Sequence, residues 1–399
     1  MKKLLLFLIC VTAFMFVGCA DKHDTEYNYP DFTKSEATEE ATVSITEKET
    51  VEMTQAPAET DAPVVKFEPE KYLSEMTIEE KIGQMFLAGY PDADAVGDVS
   101  KYKWGGYILF AKDVKYDTKE SLKDKLEKVQ SASDIPLLIA VDEEGGDVCR
   151  LSLYSAFRDS KFLSPRDLYN IGGMDRLKQE EWEKSLLLSS VGFNVNMAPV
   201  CDISTQKNAF MYRRSLGQNE FVTSEFVSYV VACNAFNKVG SVLKHFPGYG
   251  ENDDTHTDIV FDRRPLSDYE TKDLIPFFAG IENDCAAILF SHTIVECFDK
   301  EHPVSLSPDA HKYAREKMGF DGVIVTDDIV MKGVTNKYGL AESAVLAVLA
   351  GNDLICTQAP KVHYDAVYDA VKNGRISEEQ IDCAVSRVLN WKYALGLIE

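Results

Sequence analysis

Positive charge is scarce in this chain. Forty-two Lys and Arg stand against 65 Asp and Glu, a formal net charge of −23 over 399 residues. A phosphate backbone is gripped mainly by Lys and Arg, so this balance excludes nucleic acid as the main partner and leaves neutral, cationic or small ones. The chain also has no CxxC pair and no HExxH pair. Histidines 245, 256 and 292 with nearby acids are the remaining candidates for a zinc site, and their spacing is too loose for one; no metal and no cofactor is expected. Large apolar residues are scarce between residues 20 and about 70. Asp21 to Glu70 holds fourteen acids and four bases, net −10, amid Thr, Ala and Pro. Such a segment cannot bury enough surface to order itself and reads as a tether. The remainder is rich enough for a large core, since the whole chain is 45% hydrophobic and 27% charged.

The first nineteen residues, MKKLLLFLICVTAFMFVGC, set two lysines before an apolar run that ends in small residues and Cys19. This is an export signal, short for a membrane span. Its ending, Phe16-Val17-Gly18-Cys19, resembles the lipobox of bacterial lipoproteins, with Phe16 where leucine is more usual. The resemblance implies lipidation at Cys19 and a protein exported and anchored to the outer face of the cell membrane; an uncleaved anchor would also place it outside the cytoplasm. The expected organisation is a signal over 1–19, a tether over 20–70 and a folded barrel-sized domain over 71–399. Beyond Cys10 and Cys19 an odd seven cysteines remain, in apolar settings such as VVACNA and DLICT, and read as buried free thiols.

From about residue 72 a pattern repeats: a short apolar run, a polar or glycine-marked loop, then a stretch of helical period. The runs are MFLAG (85–89), GYILF (106–110), PLLIAVD (136–142), FNVNMAP (193–199), SVLKHF (241–246), AAILFSH (286–292), GVIVTDD (322–328) and NDLICT (352–357). Helical patterns such as LKDKLEKVQSA and AVLAVLAG lie between them. Eight runs predict an α/β fold, a (β/α)8 TIM-type barrel, with an open doubly wound sheet as the alternative. In a barrel the chemistry sits where strands end. Asp142, Lys244, His245, His292 and Asp327 all fall at that edge of their runs.

The densest set of titratable groups follows the fifth run, in KHFPGYGENDDTHTD (244–258), which Pro247, Gly248 and Gly250 mark as a loop. Each candidate has a plain structural explanation too. His245 fits a hydrogen-bonded core histidine, Asp327 and Asp328 fit caps for the following helix, Asp142 and Glu144 fit turn residues, and Asp253 and Asp254 fit a solvated charge run.

Taken as an ordered series, DEEGGDVCR (142–150), RSLG (214–217), KHFPGYG (244–250), DTH (254–256) and GFDGVIVTDDIVMKG (319–333) resemble glycoside hydrolase family 3, in its β-N-acetylglucosaminidase branch. The resemblance runs from about residue 76 to residue 397. It implies Asp327 as the nucleophile of a retaining hydrolase and His256 as the loop acid/base, oriented by Asp254. Asp142, Arg150, Arg214, Lys244 and His245 are implied as the groups that bind the sugar's hydroxyls or acetamido group. Tyr249, Glu143 and Asp147 depart from the residues usual at their positions, and the stretch from Gly250 to His256 is one residue short of the usual pattern. Two other functions stay open: a sugar-binding lipoprotein without catalysis, and a phosphorylase using the same residues. The expected partner is a carbohydrate, with no preference among aglycones and no expectation about oligomeric state.

Overall fold

The computed structural model describes residues 67–252 and 259–399. The leader, Cys19, nearly all of the tether, and Asp253, Asp254, His256 and Asp258 of the loop lie outside the described residues. All eight apolar runs form strands: β1 (Phe86–Gly89), β2 (Gly106–Leu109), β3 (Leu138–Val141), β4 (Val195–Asn196), β5 (Gly240–Phe246), β6 (Ala287–Phe290), β7 (Val323–Thr326) and β8 (Ile355–Thr357). They make one parallel sheet in the order β8-β1-β2-β3-β4-β5-β6-β7. A parallel bridge from Val325 to Leu354, just before β8, brings the two ends of that order together. The sheet is thus a nearly closed barrel, and the open doubly wound alternative is set aside. Continuous apolar runs suit it because parallel barrel strands are covered on both faces. Every residue of these eight strands is buried.

Strand alternation sorts those residues between two cores. Leu87, Ile108, Leu138, Ala140, Val195, Val242, Ala287, Leu289, Val323 and Val325 pack together inside the barrel. Their neighbours in sequence, such as Phe86, Ile139, Val141, Leu243, Ile288 and Ile324, turn outward to the helices. Continuing the inward phase by one step gives Asp142 after Ala140, Lys244 after Val242 and Asp327 after Val325. The period that fills the barrel with aliphatic side chains therefore aims these three polar ones into its C-terminal mouth.

The helices follow from ordinary local signals. In Lys119–Ser131 the Thr118 hydroxyl accepts the Ser121 N–H, a cap worth about 1 kcal/mol. Leu122, Leu126 and Val129, spaced by four and three, form its buried face. The C-terminal helix, Glu378–Ala394, seals the barrel's other end, where Val388, Trp391 and Leu395 join the interior core. Phe67 stacks on Tyr393 of this helix with ring centroids 4.5 Å apart. Fixed contacts thus begin a few residues before the expected boundary at 71. Of the seven cysteines, five are buried and free as expected, Cys297 is half-buried and Cys383 is exposed.

Lys392 on the same helix is fully buried, with its ammonium donating to Gln84 Oε1 at 2.7 Å. Burial lowers its pKa from 10.5 to about 7. Above that value the unfolded chain holds a proton that the native one lacks, so stability should rise with pH from about 7 to 10, by at most about 1.4 kcal/mol per pH unit. Lys392→Met should remove this slope in urea unfolding series, and a parent-to-variant gap that stays constant with pH would refute it.

Candidate active site

A cavity of about 510 Å³ opens at the C-terminal mouth. Its walls include Asp142, Arg150, Arg214, Lys244, His245 and Asp327, five of them from the expected sugar-binding set and one the expected nucleophile. The remaining two expected site residues, His256 and Asp254, lie outside the described residues.

Five of the cavity groups are tied into one chain of charge. Lys244 Nζ donates to Asp142 Oδ1 at 2.8 Å and lies 2.6 Å from Glu144 Oε1. Arg214 grips the Glu144 carboxylate with both arms of its fork, Nε to Oε2 at 3.0 Å and Nη2 to Oε1 at 2.7 Å. The same Nη2 is 3.2 Å from His245 Nε2, and His245 Nδ1 is 2.7 Å from Asp202 Oδ2. Since a guanidinium can only donate and a carboxylate accepts, the ring hydrogen belongs on Nδ1 and Nε2 accepts from Arg214. Arg150 Nη2, 3.7 Å from Asp142 Oδ2, extends the chain on the other side.

Burial pushes the Glu144 carboxyl upward, but Arg214 and Lys244 outweigh it and hold the group well below the usual carboxylate range. Burial likewise opposes the charge on Lys244, and Asp142 and Glu144 reverse this, so the ammonium is held above its ordinary value. Both stay charged. The result is a fixed set of donors at the base of a cavity, suited to a ligand rich in hydroxyl and carbonyl oxygens.

The DEEGG turn builds this arrangement. Glu143 is completely buried and its carboxylate accepts from the backbone N–H of Arg150 at 2.7 Å, Leu151 at 2.8 Å and Ser152 at 3.3 Å, and from the Ser152 hydroxyl. It folds the loop that delivers Arg150. Gly145 and Gly146 both have positive φ, and a Cβ on Gly145 would stand 2.2 Å from the Leu163 carbonyl oxygen. Only glycine turns the chain there.

On β7 the alternative role for Asp327 and Asp328 as helix caps does not hold, since the next helix, Lys332–Tyr338, starts from Met331 without a side-chain cap. Asp327 Oδ1 accepts the Asp328 N–H at 2.8 Å while its carboxylate lines the cavity. Asp328 is a brace: its Oδ1 accepts from the backbone N–H of Val330 and Gln358, both at 3.3 Å. His292 is wholly buried behind it, Nε2 toward the Asp328 carbonyl at 3.2 Å and Nδ1 toward the Ser305 hydroxyl at 2.7 Å. His245 is a satisfied buried histidine, and its ring also forms part of the cavity wall.

Sequence reasoning undervalued Glu144, read as a turn residue, and missed Asp202. The second had a signal: it falls just past the end of the FNVNMAP run, at the edge that singled out the others. Glu251, grouped in the sequence with the loop's titratable acids, is an anchor. Its carboxylate accepts from Ser204 Oγ at 2.8 Å, Thr205 N at 2.8 Å, Thr205 Oγ at 3.0 Å and Gln206 N at 3.1 Å. Among the described residues no group of three His, Cys, Asp or Glu is placed to hold a metal ion.

Arg214→Ala would leave Glu144 buried with half of its compensation gone, which should cost about 3–5 kcal/mol in denaturant unfolding. A loss below about 1 kcal/mol, typical of an exposed pair, would contradict a buried carboxylate held by charge.

The glycosyl hydrolase family 3 N-terminal domain matches residues 77–391. A beta-hexosaminidase of Xanthomonas campestris pv. campestris (strain B100) is 29% identical over 298 residues, 73% of this chain and 84% of the relative. The beta-hexosaminidase LpqI of Mycobacterium tuberculosis is 26% identical over 327 residues, 78% of this chain and 82% of that protein. The solved structure of M. tuberculosis LpqI superposes with a TM-score of 0.74 at 25% identity, over 82% of this chain and 96% of that one. A family 3 beta-N-acetylglucosaminidase structure from Paenibacillus sp. str. FPU-7 gives 0.76 at 28% identity, over 81% of this chain but only 63% of that chain's length. With a match across nearly all of its barrel, the chain belongs to glycosyl hydrolase family 3, in the branch that includes these beta-hexosaminidases, and is a glycoside hydrolase.

Proposed function

We propose that this protein is a retaining, exo-acting β-N-acetylhexosaminidase that removes terminal β-linked N-acetylglucosamine from peptidoglycan or chitin-type fragments. The observation that carries the reading is the position of Asp327, in the inward phase of β7 and lining the same cavity as Lys244, Arg150 and Arg214. A terminal sugar fits between these donors and the carboxylate. Asp142, itself held by Lys244, accepts from the sugar's hydroxyls. The cationic side chains donate to its hydroxyl and acetamido oxygens. The beta-hexosaminidases among its relatives support the N-acetylated sugar.

In the first step an Asp327 carboxylate oxygen bonds to the anomeric carbon as the glycosidic carbon–oxygen bond breaks. The departing oxygen takes the proton of the His256 imidazolium, which Asp254 keeps charged and oriented. In the second step the neutral imidazole takes a proton from water as the water oxygen attacks the anomeric carbon, and Asp327 leaves as a free carboxylate. The anomeric centre is inverted twice and so retained.

Turnover of a 2-fluoro glycoside with an activated leaving group should trap the sugar on Asp327, read by mass spectrometry of peptides. A label on another residue would reject Asp327 as the nucleophile, and no label with no turnover would favour a sugar-binding protein. Turnover that requires added phosphate would mark a phosphorylase.

The export signal and Cys19 support a lipid-anchored protein on the outer face of the membrane, with the acidic tether holding the barrel away from the bilayer. Cys19→Ala should shift the protein from the membrane to the soluble fraction. Partition identical to the parent's would remove lipidation as the anchor.

A further inference from the structure

The loop that leaves β5 departs as Pro247–Asn252 and returns as Ile259–Asp262, and each of its two stems is fastened to the barrel by different groups. On the outgoing side, the Tyr249 N–H donates to Asp202 Oδ1 at 2.7 Å and Glu251 is held by residues 204–206. On the returning side, Phe261–Asp262 pairs in parallel with Ile294–Val295, just beyond β6. Arg264 joins the two. Its Nε lies 3.1 and 2.9 Å from the two Asp262 oxygens, and its Nη1 is 2.9 Å from Asp273 Oδ2. Its Nη2 donates to the Gly248 carbonyl, on the outgoing stem, at 3.2 Å. The Asn252 amide also donates to Asp262, so a second bond crosses between the stems.

The packing is as close as the bonding. A Cβ built on Gly250 would stand 2.9 Å from Arg264 Cζ, Nη1 and Nη2, so the guanidinium occupies the space that any other residue at 250 would need. Its Cζ lies over the Tyr269 ring, 4.3 Å from the centroid. A planar fork with several donors can serve Asp262, Asp273 and Gly248 at once; an ammonium is a point charge that cannot keep this geometry.

We propose that Arg264 is a positioning residue for catalysis: by locking the outgoing stem to the returning one, it sets where the proton-donating segment between Asn252 and Ile259 is presented to the leaving oxygen. This rests on the reading that the segment supplies the proton donor, His256. Arg264 lines no part of the active-site cavity, so its removal should leave sugar binding and Asp327 intact and act on proton delivery alone.

The test compares Arg264→Gln and Arg264→Lys with the parent on a nitrophenyl N-acetylglucosaminide and on an unactivated N-acetylglucosamine disaccharide. A nitrophenolate departs without protonation and a sugar alkoxide does not. Arg264→Gln should lose on the order of 10- to 100-fold in kcat on the disaccharide, part of the range for general acid catalysis, with a KM close to the parent's and much smaller change on the aryl glycoside. Arg264→Lys keeps a cation between Asp262 and Asp273, so it guards against misfolding, and should show the same selectivity with a smaller loss. His256→Ala is measured beside them, alone and combined with Arg264→Gln. If Arg264 acts through His256, the combined variant should be no worse on the disaccharide than His256→Ala alone. Equal losses on both substrates for Arg264→Gln and Arg264→Lys, or no loss, overturn the proposal whatever His256→Ala does. Equal losses for His256→Ala, beside selective ones for the Arg264 variants, overturn only the choice of His256 as the donor and support Arg264 as the residue that places the segment.

Discussion

A carboxylate as deeply buried as Glu144 is tolerable only when cations reach it, and the mouth of this barrel is organised around that requirement. Arg214 arrives from the loop after β4 and Lys244 from β5, and each then has capacity left for a second partner. Arg214 spends it on His245, which Asp202 holds from behind; Lys244 spends it on Asp142. A single buried acid thereby ties together groups from β3, β4 and β5. Removing one member exposes the rest to an uncompensated charge, so the network is rigid for an energetic reason as well as a geometric one. Donors fixed in this way need little rearrangement when a polar ligand arrives.

Much of the fold was legible because parallel barrel strands are covered on both faces and therefore read as short unbroken apolar runs. The same logic located Asp142, Lys244 and Asp327: they are the next inward positions after aliphatic residues that fill the barrel. What stayed hidden depends on distance in the chain. Glu144 looks like a turn residue from its neighbours, and nothing local says that Arg214, seventy positions on, will close on it. Glu251 sits among acids and reads as one more of them, although its role is to accept from residues 204–206. Asp202 was within reach of the strand-end rule but fell three positions past the apolar run, where a loop residue and a strand-end residue look alike.

The stretch KHFPGYGEN (244–252) illustrates how one segment can serve two purposes. Lys244 and His245 belong to β5 and face the cavity, and Tyr249 is buried against His245 with ring centroids 5.3 Å apart. The following residues, through Asn252, are structural, bound to neighbouring loops and to Asp262. Titratable side chains in this stretch are thus divided between a ligand-facing root and a stem that is held in place.

The helix that closes the far end of the barrel has a consequence for traffic. Trp391 lies against Gly240 at the start of β5, close enough that a Cβ on that glycine would be 2.9 Å from the indole. With Val388 and Leu395 beside it in the interior core, the bottom is a packed floor. Nothing can thread through such a barrel, so a ligand of the cavity at the mouth enters and leaves on the same side. The barrel interior is therefore closed from below, and traffic is confined to its C-terminal mouth.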